Sequence, residues 1–421
     1  MKPTYRPEID GLRAIAVVAV IFYHAQINIF GNNFFEGGFI GVDIFFVISG
    51  YLITSLILKE LKLTKKFSFT YFYERRARRL LPVLFVVMIA SIPLAWSYFM
   101  ATSFADFSKS ILYSLGFSSN FYFWQTGLQY GGDGSFLKPF LHTWSLSVEE
   151  QFYIFFPIFL IIIFKYLKKY LIHTLLCTFI ISLLFANWSA YNYPNANFYF
   201  LPTRVWELII GSILAYLEIF VKKRPLNKLQ NNIFPFLGFL LILQSILFFN
   251  DKMFHPSIYT LSPVIGVSLI IWYSGKNDII TKLLSSKLFV GTGLISYSLY
   301  LWHYPIFAFV RYGSIVTGYD LFKKILLGII VIILSVFSYF FIEKPFRNKS
   351  KINKKNLIKI LSSVLVLIVA INLTVIAKKG FPDRFFQTEK FSLDNNSYRL
   401  KKENYFNSIP TFSNYNKKNV L

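Results

Sequence analysis

Runs of about 20 apolar residues recur from one end of this chain to the other, and a run of that length has few folds open to it. At about 1.5 Å of rise per residue, such a helix crosses the roughly 30 Å hydrocarbon layer of a bilayer. Eleven segments are legible, at approximately 11–30, 39–58, 80–100, 147–167, 171–188, 203–220, 233–250, 258–274, 289–311, 322–342 and 357–376. A further stretch, 107–124, is aromatic but interrupted by Ser, Gly and Asn. It reads as interfacial or re-entrant, which is tolerable only when packed against protein. Charged residues make up 15% of the 421 and hydrophobic ones 55%, whereas a soluble domain is about 25% charged. Too little polar surface remains for a soluble globule, so the expected fold is an all-α integral membrane protein. No small-residue cleavage site follows the first apolar stretch, which reads as a retained helix and not a signal peptide.

The formal net charge is +24, and its placement decides what it means. Loops 59–79, 165–170, 221–232, 275–288 and 343–356 hold 8, 3, 4, 3 and 6 Lys or Arg. Loops 31–38, 101–146, 189–202, 251–257 and 312–321 hold 0, 2, 0, 1 and 0. Basic residues accumulate on the cytoplasmic side of membrane proteins, which places the N-terminus inside and the C-terminus outside. Scattered over five inner loops with no binding fold, these residues also argue against a nucleic-acid partner. The single cysteine, Cys177, lies in an apolar run, so no internal disulfide is possible. Residues 378–421 are polar and aperiodic and read as an external linker-like tail.

An ionisable group within a span costs about 2.5–3.5 kcal/mol on insertion scales, so each is a functional candidate. Arg13 and His24 share one face of the first segment, about three turns and roughly 16 Å apart, with His24 in the outer half. In the second segment Asp43 lies about 6 Å below the outer end, where a carboxylate can orient an imidazole and stabilise its cation. An interface-anchoring His and a helix-capping Asp are the plainer readings. The sequence His142-Thr-Trp144-Ser145-Leu-Ser147-Val-Glu149-Glu150 opens the fourth segment. Ser145 or Ser147 can cap that helix, but two adjacent carboxylates exceed what a cap needs and are rivals of Asp43 for supporting a base. Arg204 and Glu207 stand at i,i+3 spacing, where a mutual ion pair is a fair alternative to substrate binding. His303 falls in the outer half of the ninth segment and is as readily a packing residue as a functional one. His173 and His255 read as structural.

Arg75, Arg76, Arg78 and Arg79 cluster just before the third segment. The plain reading is a patch on anionic lipid; the sharper one is a phosphate site, because guanidinium groups match phosphate oxygens bidentately. Together, inner arginines that can hold an anionic cytosolic cofactor and an outer-half His with carboxylates suggest chemistry across the membrane. No Walker loop, dinucleotide fingerprint or Cys/His metal spacing occurs, so no metal is expected.

At these residues the chain resembles the membrane-bound acyltransferase-3 family, which includes O-antigen and peptidoglycan O-acetyltransferases. The likeness is carried by Arg13-x10-His24, Gly41 to Gly50, Tyr73 to Pro82, His142 to Tyr153, Arg204 to Gly211, Ser296 to Pro305 and Ile342 to Arg347. It implies a ten-helix acyltransferase domain over 1–347, with 348–377 as an inner loop and eleventh helix. It further implies transfer of an acyl group, usually acetyl, from cytosolic acyl-CoA to a hydroxyl of an envelope glycan or lipid-linked precursor, at the bacterial inner (cytoplasmic) membrane. His24 is the implied catalytic histidine, with Asp43, Glu149 and Glu150 as catalytic candidates. Arg13, Arg75, Arg76 and Arg79 are implied as functional arginines and are candidates for binding acetyl-CoA, and His142, Trp144, Ser147, Arg204, Glu207 and His303 are candidates for binding the acceptor. The eleventh helix followed by Gly380-Phe-Pro-Asp-Arg384-Phe resembles the subset fused to an external SGNH esterase-like domain, here expected as a separate partner. A transporter of an acyl donor or lipid-linked sugar is the competing reading, although no inverted repeat is visible. A scaffold is a third, and it predicts no cost from losing His24.

Overall fold

The computed structural model describes residues 5–29, 32–33, 35–127, 134–221, 228–275, 278–314 and 321–385. The tail beyond 385 and the lysine-rich stretch 222–227 lie outside them. The described residues are helical almost throughout, and the strands among them are two-residue pieces, Asn28–Ile29 paired with Asn32–Asn33. In chain order the helices are α1 Pro7–Ala25, α2 Gly41–Thr64, α3 Phe69–Tyr98, α4 Ala101–Leu115, α5 Ser119–Gln125, α6 Thr143–Tyr166, α7 Leu171–Asn192, α8 Pro194–Tyr199 and α9 Leu201–Tyr216. They continue with α10 Lys228–Phe248, α11 Leu261–Tyr273, α12 Ile279–Leu284, α13 Lys287–Leu294, α14 Ser296–Ser314, α15 Leu321–Ser338, α16 Lys344–Arg347 and α17 Lys354–Ala377.

Among the described residues, seven helical stretches, at Glu36–Thr64, Phe69–Tyr98, Thr143–Tyr166, Lys168–Asn192, Leu229–Phe248, Leu321–Arg347 and Lys354–Ala377, are long and apolar enough to cross a bilayer. The other expected segments are helical too, but shorter or more polar. α1 carries Glu8, Asp10 and Arg13, α9 carries Arg204 and Glu207, and the shorter apolar helix runs Ile258–Tyr273. Polarity sorts the helices by position. α15 and α17 expose Ile329, Ile333, Val366 and Leu373 to the surroundings, which suits lipid, as apolar as these side chains. α1 and α2 bury Leu12, Ala16, Val17, Ile44 and Val47 at the centre, and the ionisable groups sit between them and their neighbours.

Glycine sets the approach of the central helices. A Cβ on Gly50 of α2 would lie 1.8 Å from the Leu208 carbonyl oxygen of α9, and one on Gly211 of α9 would lie 2.0 Å from that of Val47. The two backbones therefore touch reciprocally, the small-residue packing that membranes favour. Gly50→Ala must push α9 away, and overpacking of this kind costs about 1–3 kcal/mol. A lowered thermal unfolding midpoint of the detergent-purified variant is expected; an unchanged one would refute the contact.

Two expectations are corrected, and a third segment takes a definite form. Residues 69–79 are not loop: α3 starts at Phe69, because arginine is a good helix former and a basic run is not by itself a break. The segment 289–311 is two helices, α13 and α14, separated at Ile295. Gly293 lets α13 abut α1, where a Cβ would meet the Asp10 carbonyl oxygen at 1.9 Å. The aromatic stretch 107–124 forms α4 and α5 with a turn at Gly116–Ser118, and α4 packs on α17 while α5 packs on α6.

Candidate active site

A cavity of about 1250 Å³ opens beside the arginines of α3 and runs between α1, α2, α3, α6 and α14. That exceeds the roughly 300–1,000 Å³ usual for a small-molecule pocket. Arg75, Arg76 and Arg79 fall within an arc of about 100° on α3 and line it, joined by Arg13, Arg347 and Lys349. Arg75 lies over the Tyr71 ring at 5.2 Å and Arg76 over Tyr153 at 3.8 Å, so their planar heads are braced by aromatic faces. Arg13 pairs with Asp10 at 2.8 Å. Arg78, on the neighbouring face, bonds Glu74 and the carbonyls of Phe346 and Ile352 at 2.7–3.0 Å. It ties α3 to the connection before α17.

Away from the arginines the wall turns apolar, with Val42, Phe45, Phe46 and Leu146, and the polar groups there are Ser145 and Tyr300. Glu149 accepts from Ser49 at 2.6 Å. Glu150 is 6% exposed, and its Oε1 has no hydrogen-bond partner among the described residues. Arg76 lies within electrostatic reach of both carboxylates. This puts both glutamates with the arginines.

Three imidazoles meet in the protein interior, from helices far apart in sequence. His24 ends α1, His303 lies midway along α14 and His142 precedes α6; they are 1%, 0% and 0% exposed. His24 Nδ1 and His303 Nε2 are 3.0 Å apart. The His142 ring centre lies 5.6 Å from that of His303 and 5.2 Å from that of Tyr304, on which it stacks. His303 Nδ1 is 3.2 Å from the Leu299 carbonyl oxygen, which can only accept. That fixes the proton order along the chain: Nδ1–H on His303 donates to Leu299, its Nε2 accepts, and His24 Nδ1 must donate. In neutral His24 the lone pair then falls on Nε2. Tyr304 meets the His24 ring edge-on at 4.7 Å, and Phe136 lies 6.3 Å away. Arg311 donates to the His24 carbonyl oxygen.

Asp43, expected beside His24, is placed elsewhere. Gly41 of α2 faces α1, where a Cβ would meet the Ala16 carbonyl oxygen at 2.3 Å. Two residues on is about 200° round a helix, so Asp43 faces α9. There one oxygen accepts from Arg204 at 2.8 Å and the other lies 3.0 Å from His255 Nε2. Arg204 also bonds Glu207 at 3.2 Å and the Phe198 carbonyl oxygen at 3.1 Å, and lies over the Trp144 ring at 5.3 Å. Asp43, Arg204 and Glu207 are each 0% exposed. Arg204 and Glu207 thus take the ion-paired form, closed over by Trp144, and His255, read as structural, belongs to the same network. Ser147 is not a cap: α6 starts earlier, at Thr143, and Ser147 joins Ser119 at 2.8 Å, binding α6 to α5. His255 stands in a short polar connection with no local signal to mark it. Ser49 and Tyr300 lie inside the motifs already singled out, with no chemistry assigned to them. Among the described residues no group of three or more His, Cys, Asp or Glu is arranged to hold a metal ion.

An acyltransferase domain family model matches residues 6–344. Peptidoglycan O-acetyltransferase OatA of Listeria monocytogenes is 33% identical over 363 residues, 83% of this chain and 57% of that protein. O-acetyltransferase OatA of Staphylococcus aureus is 32% identical over 359 residues, 82% of this chain and 58% of that protein. A putative O-acetyltransferase of Staphylococcus aureus is 34% identical over 367 residues, 83% and 58% of the two chains. The chain spans a little over half the length of these curated relatives. No solved structure matches it.

Proposed function

The chain belongs to this acyltransferase family, and from that premise we propose that it takes an acetyl group from acetyl-CoA on the cytosolic side and transfers it to a hydroxyl of a cell-envelope glycan or its lipid-linked precursor. The observation that carries the reading is the cavity: basic side chains that include Arg13, Arg75, Arg76, Arg79, Arg347 and Lys349 at one end and a hydroxyl-bearing apolar wall at the other. A coenzyme with phosphates at one end and a thioester at the tip of a long arm suits that gradient. In this reading the basic end faces inward, in keeping with the distribution of Lys and Arg, with the protein in the cytoplasmic membrane and its N-terminus inside. The names of the relatives favour peptidoglycan over lipopolysaccharide as the acceptor class. An SGNH esterase-like partner domain is the expected receiver if the acetyl group travels by relay.

In this reading His24 Nε2 accepts the proton of the attacking sugar hydroxyl. The new C–O bond forms, the C–S bond breaks, and the imidazolium returns the proton to the departing CoA thiolate. His303 holds the tautomer and shares the charge of the cation, the part first assigned to Asp43. Glu149 and Glu150 sit on the donor side and temper the positive field of the arginines near the thioester arm.

Replacing Arg75, Arg76 or Arg79 singly with Ala removes a charge-assisted hydrogen bond worth about 1.5–3 kcal/mol. Acetyl-CoA is therefore expected to bind the purified variants about 10- to 100-fold more weakly by titration calorimetry. Unchanged affinity in all three would return the cluster to anionic lipid.

A further inference from the structure

His24 does not line the cavity, so an acyl group arriving there needs its own binding groups at the far end. The polar pair on that wall comes from two helices. The Tyr300 hydroxyl of α14 donates to the His142 carbonyl oxygen at 2.7 Å and lies 2.7 Å from Ser145 Oγ of α6. Both residues face the cavity. The Tyr300 ring is 5.3 Å from that of His142 and 5.5 Å from that of His303, so it borders the cavity and the imidazole cluster at once.

Ser145 lies in the first turn of α6, a helix of 24 residues, whose amino end carries a partial positive charge. The residue before that turn, His142, is 0% exposed, and neither of its ring nitrogens has a hydrogen-bond partner among the described residues. A buried imidazole at a helix amino end, beside two hydroxyls on a cavity wall, is a set of donors that an acceptor entering the cavity can draw on. Serine, tyrosine and a neutral imidazole can each offer a hydrogen, and the carbonyl oxygen of a thioester is an acceptor that becomes an anion as the hydroxyl adds.

Resting on the acyl-CoA reading above, we propose that Tyr300 and Ser145 are catalytic residues whose hydroxyls hold the acyl carbonyl oxygen, with the α6 amino end and His142 behind them. Their present bonds keep both oxygens aimed at the cavity, and each hydrogen turns to the incoming oxygen by rotation about a single bond. As the sugar oxygen adds to the carbonyl carbon, the C=O π pair moves onto that oxygen. When the C–S bond breaks, the pair returns. The hydroxyls are donors throughout and are themselves unchanged. Donors whose hydrogen bonds strengthen as the charge develops raise kcat more than they tighten binding.

Tyr300→Phe and Ser145→Ala are each expected to lower kcat about 10²-fold or more while acetyl-CoA affinity for the full-length protein falls far less than kcat does. The distinguishing readout is the carbonyl stretch of [1-13C]acetyl-CoA bound without glycan. It should fall in frequency on binding to the wild-type protein and return towards the free value in each variant. No saturable binding of acetyl-CoA would overturn both this assignment and the reading it rests on. Binding with an unshifted carbonyl band, or a shift that survives in both variants, would overturn the assignment of the hydroxyls alone.

Discussion

His24→Ala is expected to insert normally, to bind acetyl-CoA as the wild-type protein does, and to lose about 10²–10⁴-fold of its transfer rate, the usual contribution of a general base. A sugar hydroxyl is a poor nucleophile until its proton is removed, and imidazole, with an ordinary pKa near 6.5, has its neutral form available at physiological pH. The geometry adds a graded series. His303→Phe removes the acceptor that holds His24 Nδ1–H and leaves both His24 tautomers open, so a partial loss is expected. Asp43→Asn, which acts on the Arg204 side, should leave the base nearly intact at matched protein levels. Initial rates in reconstituted membranes decide the order. A His24→Ala rate within a few-fold of wild type would sink the mechanism, and an Asp43→Asn loss equal to that of His24→Ala would reinstate the aspartate beside the base.

The largest expected effect on stability belongs to Arg204. Its guanidinium is the described basic partner of two wholly buried carboxylates, Asp43 and Glu207, and it also bonds a backbone carbonyl. Arg204→Leu leaves two acids with one imidazole, His255, and removing one partner of a buried pair costs about 3–5 kcal/mol. Poor recovery from the membrane and a large drop in the thermal midpoint are expected. Asp43→Asn together with Glu207→Gln, added to Arg204→Leu, should restore much of the loss, because the stranded charge is then gone. Wild-type stability in Arg204→Leu, or no rescue in the triple variant, would contradict the network.

The parts read most easily from sequence are those that meet lipid. α15 and α17 are uniform apolar runs with their exposed faces outward, and one periodicity settles them. Helices that meet other helices were less legible. The start of α3 was hidden because a basic run reads as an inner loop, although its arginines continue the helix. The division between α13 and α14 was hidden because an apolar run persists through it, with Gly291 and Gly293 as the local hint. In the site, residue types were legible and pairings were not. The phase of α2 assigns Asp43 to α9, and that phase is known only once Gly41 is seen against α1. The pairing of His24 with His303 joins residues 279 apart, and nothing in either motif names the other. The arginines on α3 were legible as a cluster, but only the fold separates Arg78, bonded to the backbone before α17, from the three that share a face.

The most direct measurement is vectorial transfer. Proteoliposomes holding the protein, with [14C]acetyl-CoA on the side of the basic cavity and envelope glycan on the other, should place label in an alkali-labile ester on the glycan. Label should be absent with His24→Ala and reduced when the coenzyme is offered only on the opposite side. Label that crosses the membrane still attached to CoA would identify a transporter, and wild-type protein that binds acetyl-CoA yet leaves glycan unlabelled would contradict transfer by this chain.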